Sequence, residues 1–178
     1  IAFYRSLFEE CHRHGIEPMV TLSHYELPLG LALTYGGWSN RKLVDFFVTY
    51  ARTCLTEFRG LVRYWLTFNE INCAIIDSFD NIMGLGILPE EEWDMDLGTP
   101  CVWDDPQRRL EGLHNQFVAS AKVVRLAHEI DPDNRVGCMI AGNATYPYTC
   151  NPDDVLAADA SQREHNFYCG DVQVRGAY

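Results

Sequence analysis

The chain has 178 residues, enough for one domain with a substantial core, and its 47% hydrophobic and 22% charged composition excludes a disordered polymer. The formal net charge is −11, from 14 basic and 25 acidic residues, and no basic stripe exists to displace counterions from nucleic acid phosphates. No apolar run approaches the roughly 18–20 residues that cross a bilayer, and Ile1-Ala2-Phe3-Tyr4-Arg5 carries no signal pattern.

Phe3, Tyr4, Leu7, Phe8 and Cys11 recur at helical spacing, with Gly15 as a stop. The run from Pro18 to Tyr25 is apolar and turns polar at its end, as a buried parallel strand does. Trp38-Ser39-Asn40 then leads into a long helical pattern through Leu43, Phe46, Phe47, Tyr50, Cys54 and Phe58. A second strand, Val62 to Phe68, ends on Asn69 and Glu70. Residues 71–104 have no period and are broken by Gly84, Gly86, Pro89, Gly98 and Pro100; a loop of that length in a compact domain is usually functional. Seven acids lie between Glu90 and Asp105 with no Lys or Arg among them, which reads as a solvated loop.

Asp105-Pro106 opens another helix, Asp as N-cap and Pro in the first turn. Its apolar face is expected to be Leu110, Leu113, Phe117, Ala121, Val124 and Ile130, and Asp131-Pro132 ends it. A third strand is expected from Arg135 to Ala141, then a turn-rich stretch, then a helix capped by Asn151-Pro152 and running to about Phe167. The seven cysteines (Cys11, Cys54, Cys73, Cys101, Cys138, Cys150 and Cys169) are odd in number and never spaced C-x-x-C, which suits reduced thiols in a cytoplasmic protein. Cys11-His12-Arg13-His14 alternates faces of a helix and is not read as a metal site.

Helices and strands in strict alternation are successive βα units on a parallel sheet. A doubly wound open sheet and a (β/α)8 barrel both fit that order, and the absence of a glycine-rich phosphate turn after any strand weakens the first. With three strands visible and about 250 residues typical of a barrel, the expected fold is α/β, a partial (β/α)8 TIM barrel comprising roughly strands three to five and their helices. Residues 1–178 then form a single segment, truncated at both ends. Barrel active sites lie at the carboxyl ends of the strands. The polar residues there are His24, Glu26, Asn69 and Glu70. Topology alone leaves Glu70 as either a cap or a catalytic carboxylate.

Thr67-Phe68-Asn69-Glu70 resembles the Thr-Phe-Asn-Glu signature of glycoside hydrolase family 1. Thr21-Leu22-Ser23-His24-Tyr25-Glu26-Leu27-Pro28 is similar to that family's Thr-Leu-x-His-Trp-Asp-Leu-Pro strand end, and Gly36-Gly37-Trp38-Ser39-Asn40 to its Gly-Gly-Trp-x-Asn turn. All three stand in the family's order, and the resemblance covers essentially the whole chain. It implies that Glu70 is the general acid/base, that Asn69 hydrogen-bonds the sugar 2-hydroxyl, and that His24 binds a glycone hydroxyl; for His24, an imidazole satisfied by a nearby carbonyl is the alternative. Tyr25 and Glu26 depart from Trp-Asp and receive no catalytic role, while Trp38 is expected to pack.

The His24-Tyr25-Glu26 departure resembles the 6-phospho-β-glucosidase branch of the family. So do Gly137-Cys138-Met139-Ile140-Ala141, Tyr146-Pro147, Cys150 to Val155, and the ending Asp171 to Tyr178, which resembles the approach to a further strand. The implied substrate is a small-molecule phosphorylated β-glucoside, handled with no cofactor and no metal. Unphosphorylated β-glucosidase and a non-catalytic carbohydrate-binding half-barrel are the alternatives. The family's nucleophile motif, Thr-Glu-Asn-Gly, does not occur in these residues, and Asp77 and Asp80 do not replace it. The 178 residues by themselves are therefore expected to be inactive, and to associate as a homo-oligomer or aggregate through open strand edges.

Overall fold

A computed structural model describes residues 1–75, 82–89 and 103–178. Asp77, Asp80, Cys101 and the acids from Glu90 to Asp96 lie outside the described residues. Helix α1 (Ala2–Arg13) leads to strand β1 (Met19–Ser23); helix α2 (Leu29–Tyr35) and a 3-10 turn (Gly37–Ser39) precede helix α3 (Lys42–Glu57). Strand β2 (Tyr64–Phe68) continues into a 3-10 segment (Ile71–Ile75). Then come helix α4 (Pro106–Ile130), strand β3 (Arg135–Gly137), helix α5 (Pro152–Gln162), one π turn (Arg163–Phe167) and helix α6 (Tyr168–Arg175).

The three strands are parallel in the order β1-β2-β3. Met19 pairs with Tyr64, Ser23 with Phe68 and Leu66 with Gly137. All carboxyl ends therefore meet at one edge of the sheet, as βα units on a barrel arc require. Among the described residues the sheet does not close on itself. β2 is central, and Trp65, Thr67 and Phe68 are buried on its two faces. Leu43, Val44, Phe47, Ala51 and Leu55 of α3 and Leu113, Phe117, Val123 and Leu126 of α4 supply the helical side of the core. Phe8 of α1 meets Phe58 edge to face with centroids 5.0 Å apart, which ties α1 to the end of α3.

Both proline-started helices begin where their caps predict. The Asp105 side chain accepts from the Arg108 N–H, and Asn151 accepts from the Asp153 N–H. Four expectations shift. Helix α2 was not legible, because Leu29 to Tyr35 is too short and too uniformly apolar to show a period. β3 stops at Gly137 rather than Ala141: Ile71 N–H bonds to the Met139 carbonyl at 3.3 Å, and beyond Gly137 the backbone pairs with the loop after β2 instead of the strand. The helix after Asn151 does not end at Phe167. It widens into a π turn there and runs on to Gly176, whose φ of 71° closes it, so residues 171–175 are helical.

The fourth shift is the face of α4. Leu110 is 51% exposed and Ala121 is exposed, while Arg109, Asn115, Gln116 and Ser120 are buried. Polar residues on the inward side defeat an apolar-stripe reading.

The Gly-Gly-Trp turn has a steric cause. Gly36 ends α2 in the left-handed region, with its N–H on the Ala32 carbonyl. Gly37, also at positive φ, lies so close to a neighbouring loop that a Cβ would stand 2.2 Å from the Gly86 carbonyl oxygen. That approach lets Trp38 N–H donate to the Leu85 carbonyl at 2.8 Å and seats the indole in the core at 2% exposure. Gly37→Ala should destabilise the fold by about 3 kcal/mol or more, combining a forced positive φ with overpacking. Gly30→Ala, on an open face of α2 with nothing near its Cβ, should instead be neutral or stabilise by up to about 1 kcal/mol. Denaturant unfolding of the two variants beside the parent checks the contrast.

Candidate active site

Glu70 lies two residues beyond Phe68, the last residue of β2, and Tyr25 lies two residues beyond Ser23, the last of β1. Ser23 and Phe68 are register partners, so the two side chains leave adjacent strands at the same level. Asn69 N–H extends the ladder by donating to the Ser23 carbonyl at 2.9 Å. At that level the Tyr25 hydroxyl donates to Glu70 Oε2 at 2.6 Å, and Cys73 Sγ lies 3.8 Å from the same hydroxyl. The other carboxylate oxygen, Oε1, has no hydrogen-bond partner among the described residues.

The three residues expected at the site do come together at this edge. Asn69 is buried at 8% exposure and lines a small cavity with Ser23, Tyr25, Phe68, Ile71, Gly84 and Gln116; its amide makes no side-chain hydrogen bond among the described residues. The His24 ring is exposed, meets the Tyr25 ring edge to face at 5.6 Å, and engages no carbonyl among the described residues. Glu26 turns its carboxylate back to accept from the His24 N–H at 2.6 Å and so closes the loop after β1. Trp38 packs: its ring meets Phe68 at 5.3 Å and Phe47 at 5.6 Å, and Phe47 stacks on Phe68 at 4.6 Å. The Trp38 and Phe47 rings thus grip Phe68, the strand residue immediately before Asn69-Glu70.

The loop after Glu70 is held by buried polar groups that the sequence did not single out. Asn72 donates to the carbonyls of Ala141 at 3.0 Å and His165 at 2.6 Å, and accepts from the Ala141 N–H at 2.8 Å. The acceptor at His165 belongs to the π turn, where the wide turn frees a carbonyl. Arg109, 5% exposed, holds Asp104 with a two-pronged ion pair at 2.8 and 3.0 Å and donates to the carbonyls of Ala74 and Ile75 at 2.8 and 2.9 Å. Gln116 donates to the Gly84 carbonyl at 3.1 Å. On β1, the Tyr50 hydroxyl donates to the Leu22 carbonyl at 3.0 Å, and burial pushes its pKa up.

Among the described residues no three His, Cys, Asp or Glu side chains converge on a metal-sized point. His12 and His14 instead contact the Leu61 carbonyl at 2.7 Å and Glu10 at 2.9 Å. Burial raises the pKa of the Cys54 and Cys138 thiols and keeps them protonated. Chemically, the edge offers one half-buried carboxyl with a phenol on one oxygen, a buried amide, and an imidazole open to solvent.

The family model for glycosyl hydrolase family 1 matches residues 1–178. A 6-phospho-beta-glucosidase, AscB of Escherichia coli (strain K12), is 51% identical over 178 residues, covering 100% of this chain and 35% of that protein. An aryl-phospho-beta-D-glucosidase, BglH of Bacillus subtilis (strain 168), is 45% identical over 182 residues with the same coverage, 100% and 35%. In structure, a beta-glucosidase from Thermotoga maritima in complex with deoxynojirimycin matches with a TM-score of 0.76 at 26% identity, covering 93% of this chain and 34% of that one. The chain thus spans about a third of the length of the curated relatives it matches.

The buried Arg109–Asp104 pair generates a measurable expectation. Arg109→Met would leave Asp104 and two carbonyls without their guanidinium, and removing one partner of a buried pair typically costs about 3–5 kcal/mol. Adding Asp104→Leu should recover part of that loss, because the carboxylate that the guanidinium balanced goes with it. A double-mutant cycle by urea unfolding measures both steps.

Proposed function

The chain belongs to glycosyl hydrolase family 1, and from that premise we propose that it supplies the acid/base segment of an enzyme that hydrolyses 6-phospho-β-glucosides with retention. The observation that carries this reading is Glu70, a half-buried carboxyl on the edge where all three parallel strands end, flanked by Asn69 and His24. In the first half of the reaction the protonated Glu70 gives its proton to the glycosidic oxygen as the aglycone leaves. The sugar is captured by a second carboxylate, which retaining enzymes hold about 5–5.5 Å away. In the second half Glu70 takes a proton from water, whose oxygen attacks the anomeric carbon and releases the sugar. Asn69 would hold the 2-hydroxyl, a contact that tightens as the oxocarbenium-like state forms, and His24 would hold another glycone hydroxyl.

The phosphorylated substrate is favoured over the plain one by degree of likeness. The relatives named for phospho-glucosides are 51% and 45% identical, whereas the beta-glucosidase structure is 26% identical. Such a substrate implies a cytoplasmic enzyme fed by phosphorylating sugar uptake, and the half-buried, protonated thiols of Cys54 and Cys138 fit a reducing compartment.

Two experiments on a full-length enzyme carrying these residues test the reading. Glu70→Gln should slow a glucoside with a poor leaving group by about 10²–10⁴-fold, the usual worth of general acid help, and spare an activated aryl glucoside at the glycosylation step; equal losses would remove Glu70 from this role. Turnover of phosphorylated against plain aryl β-glucoside should favour the former. If the plain glucoside reacts as well or better, the branch is wrong while the family stands.

A further inference from the structure

Two residues other than glycine adopt positive φ among the described residues: Tyr25 at 70° and Glu70 at 44°. A bulky residue in that region is a genuine outlier, and such strain, about 1–3 kcal/mol each, gathers at functional sites. These two are also bonded to each other, through the Tyr25 hydroxyl and Glu70 Oε2 at 2.6 Å. They stand at equivalent positions past neighbouring strands, since Ser23 and Phe68 are register partners.

We propose that Tyr25 is a positioning residue that decides which oxygen of Glu70 carries the catalytic proton. A carboxylic acid has one O–H. An oxygen already accepting a phenolic hydrogen at this distance is a poor place for a second one. With Tyr25 on Oε2, the acid's proton sits on Oε1, the oxygen that has no hydrogen-bond partner among the described residues. The transfer runs from Oε1 to the glycosidic oxygen and later from water back to Oε1, and Tyr25 keeps its own proton throughout. The same bond fixes the carboxyl plane, so that proton delivery needs no rotation of the side chain. Cys73 Sγ, 3.8 Å from the phenolic oxygen, is a more distant and weaker acceptor than the carboxylate at 2.6 Å. Packing alone does not require the hydroxyl, because the edge-to-face contact with His24 is made by the ring.

This inference rests on Glu70 being the acid/base, and the test separates the two. In the full-length enzyme, kcat/KM is measured for two phosphorylated aryl glucosides, one with an activated and one with a poor leaving group. The ratio between them does not depend on how much of a variant is folded. Tyr25→Phe keeps the ring and should lower the poor substrate about tenfold, the scale of one hydrogen bond to an ionisable group, and the activated one less than about twofold. In a Glu70→Gln background the same change should alter neither substrate further, because the carboxyl it acts on is gone. Equal losses on both substrates for Tyr25→Phe, or a full second loss in the Glu70→Gln background, would overturn the role of Tyr25 and leave that of Glu70 intact. A Glu70→Gln enzyme that shows no selectivity between the substrates would overturn both.

Discussion

The inward face of α4 carries four buried polar side chains among its apolar ones, and that one constraint organises the carboxyl edge of the sheet. Burying Arg109, Asn115, Gln116 and Ser120 costs about 1–3 kcal/mol for each group left unmet, so each must find its partner. The partners are Asp104 with the Ala74 and Ile75 carbonyls, the Trp38 carbonyl at 2.8 Å, the Gly84 carbonyl, and Thr67 at 2.9 Å. Three of these four sets lie in segments that connect the strands to their helices, and the fourth is on β2 itself. An apolar α4 would pack against the sheet in several registers. A polar one fixes where each connecting segment must sit.

That fixation makes strain at the strand ends sustainable. Tyr25 and Glu70 depart from ordinary backbone conformations one step past the ladder, and the residues on either side hold them there. Before Glu70, the Phe47 and Trp38 rings grip Phe68 at the strand end. After it, Asn72 bonds to Ala141 and His165. Before Tyr25, Tyr50 holds the Leu22 carbonyl; after it, Glu26 folds back on His24 N–H. A carboxyl clamped from both sides along the chain can be oriented through a single contact with its neighbour strand.

The sequence made the periodic and the capped features legible: the α3 pattern, the apolar β2, and the Asp105-Pro106 and Asn151-Pro152 starts all follow from local chemistry. It also made Glu70 legible, since an acid directly after an apolar strand is expensive unless it is bonded or useful. The rest depended on partners distant in the chain. Arg109 reads as a surface charge until Ala74 and Ile75, 35 and 34 residues away, appear beneath it. Asn72 reads as a loop residue until His165, 93 residues on, accepts its hydrogen. The Arg163 to Phe167 stretch is a π turn, which has no pattern of its own to detect. Tyr25 was passed over because it departs from the family's tryptophan. The departure itself was the signal, because it introduces a phenolic hydroxyl beside a carboxyl.

Packing and chemistry are open on the same arc. β1 and β3 each present an edge with no strand partner among the described residues, and parallel sheets are stable in proteins with both faces and edges covered. Met19 on β1 is 65% exposed, and Phe3 on α1 is 74% exposed. Tyr148, after β3, is 97% exposed. A closed barrel would cover those edges with further strands, and it would bring the carboxyl ends of those strands around to face Glu70. Glu26 does not supply the second carboxylate that the proposed reaction requires, since its oxygen is turned to the backbone at His24. In the proposed reaction the physical requirement to cover two sheet edges and the chemical requirement for a second carboxylate near Glu70 would be met by the same barrel closure. An arrangement that satisfied one without the other would leave either a folded barrel with half an active site or a paired active site on an unstable sheet.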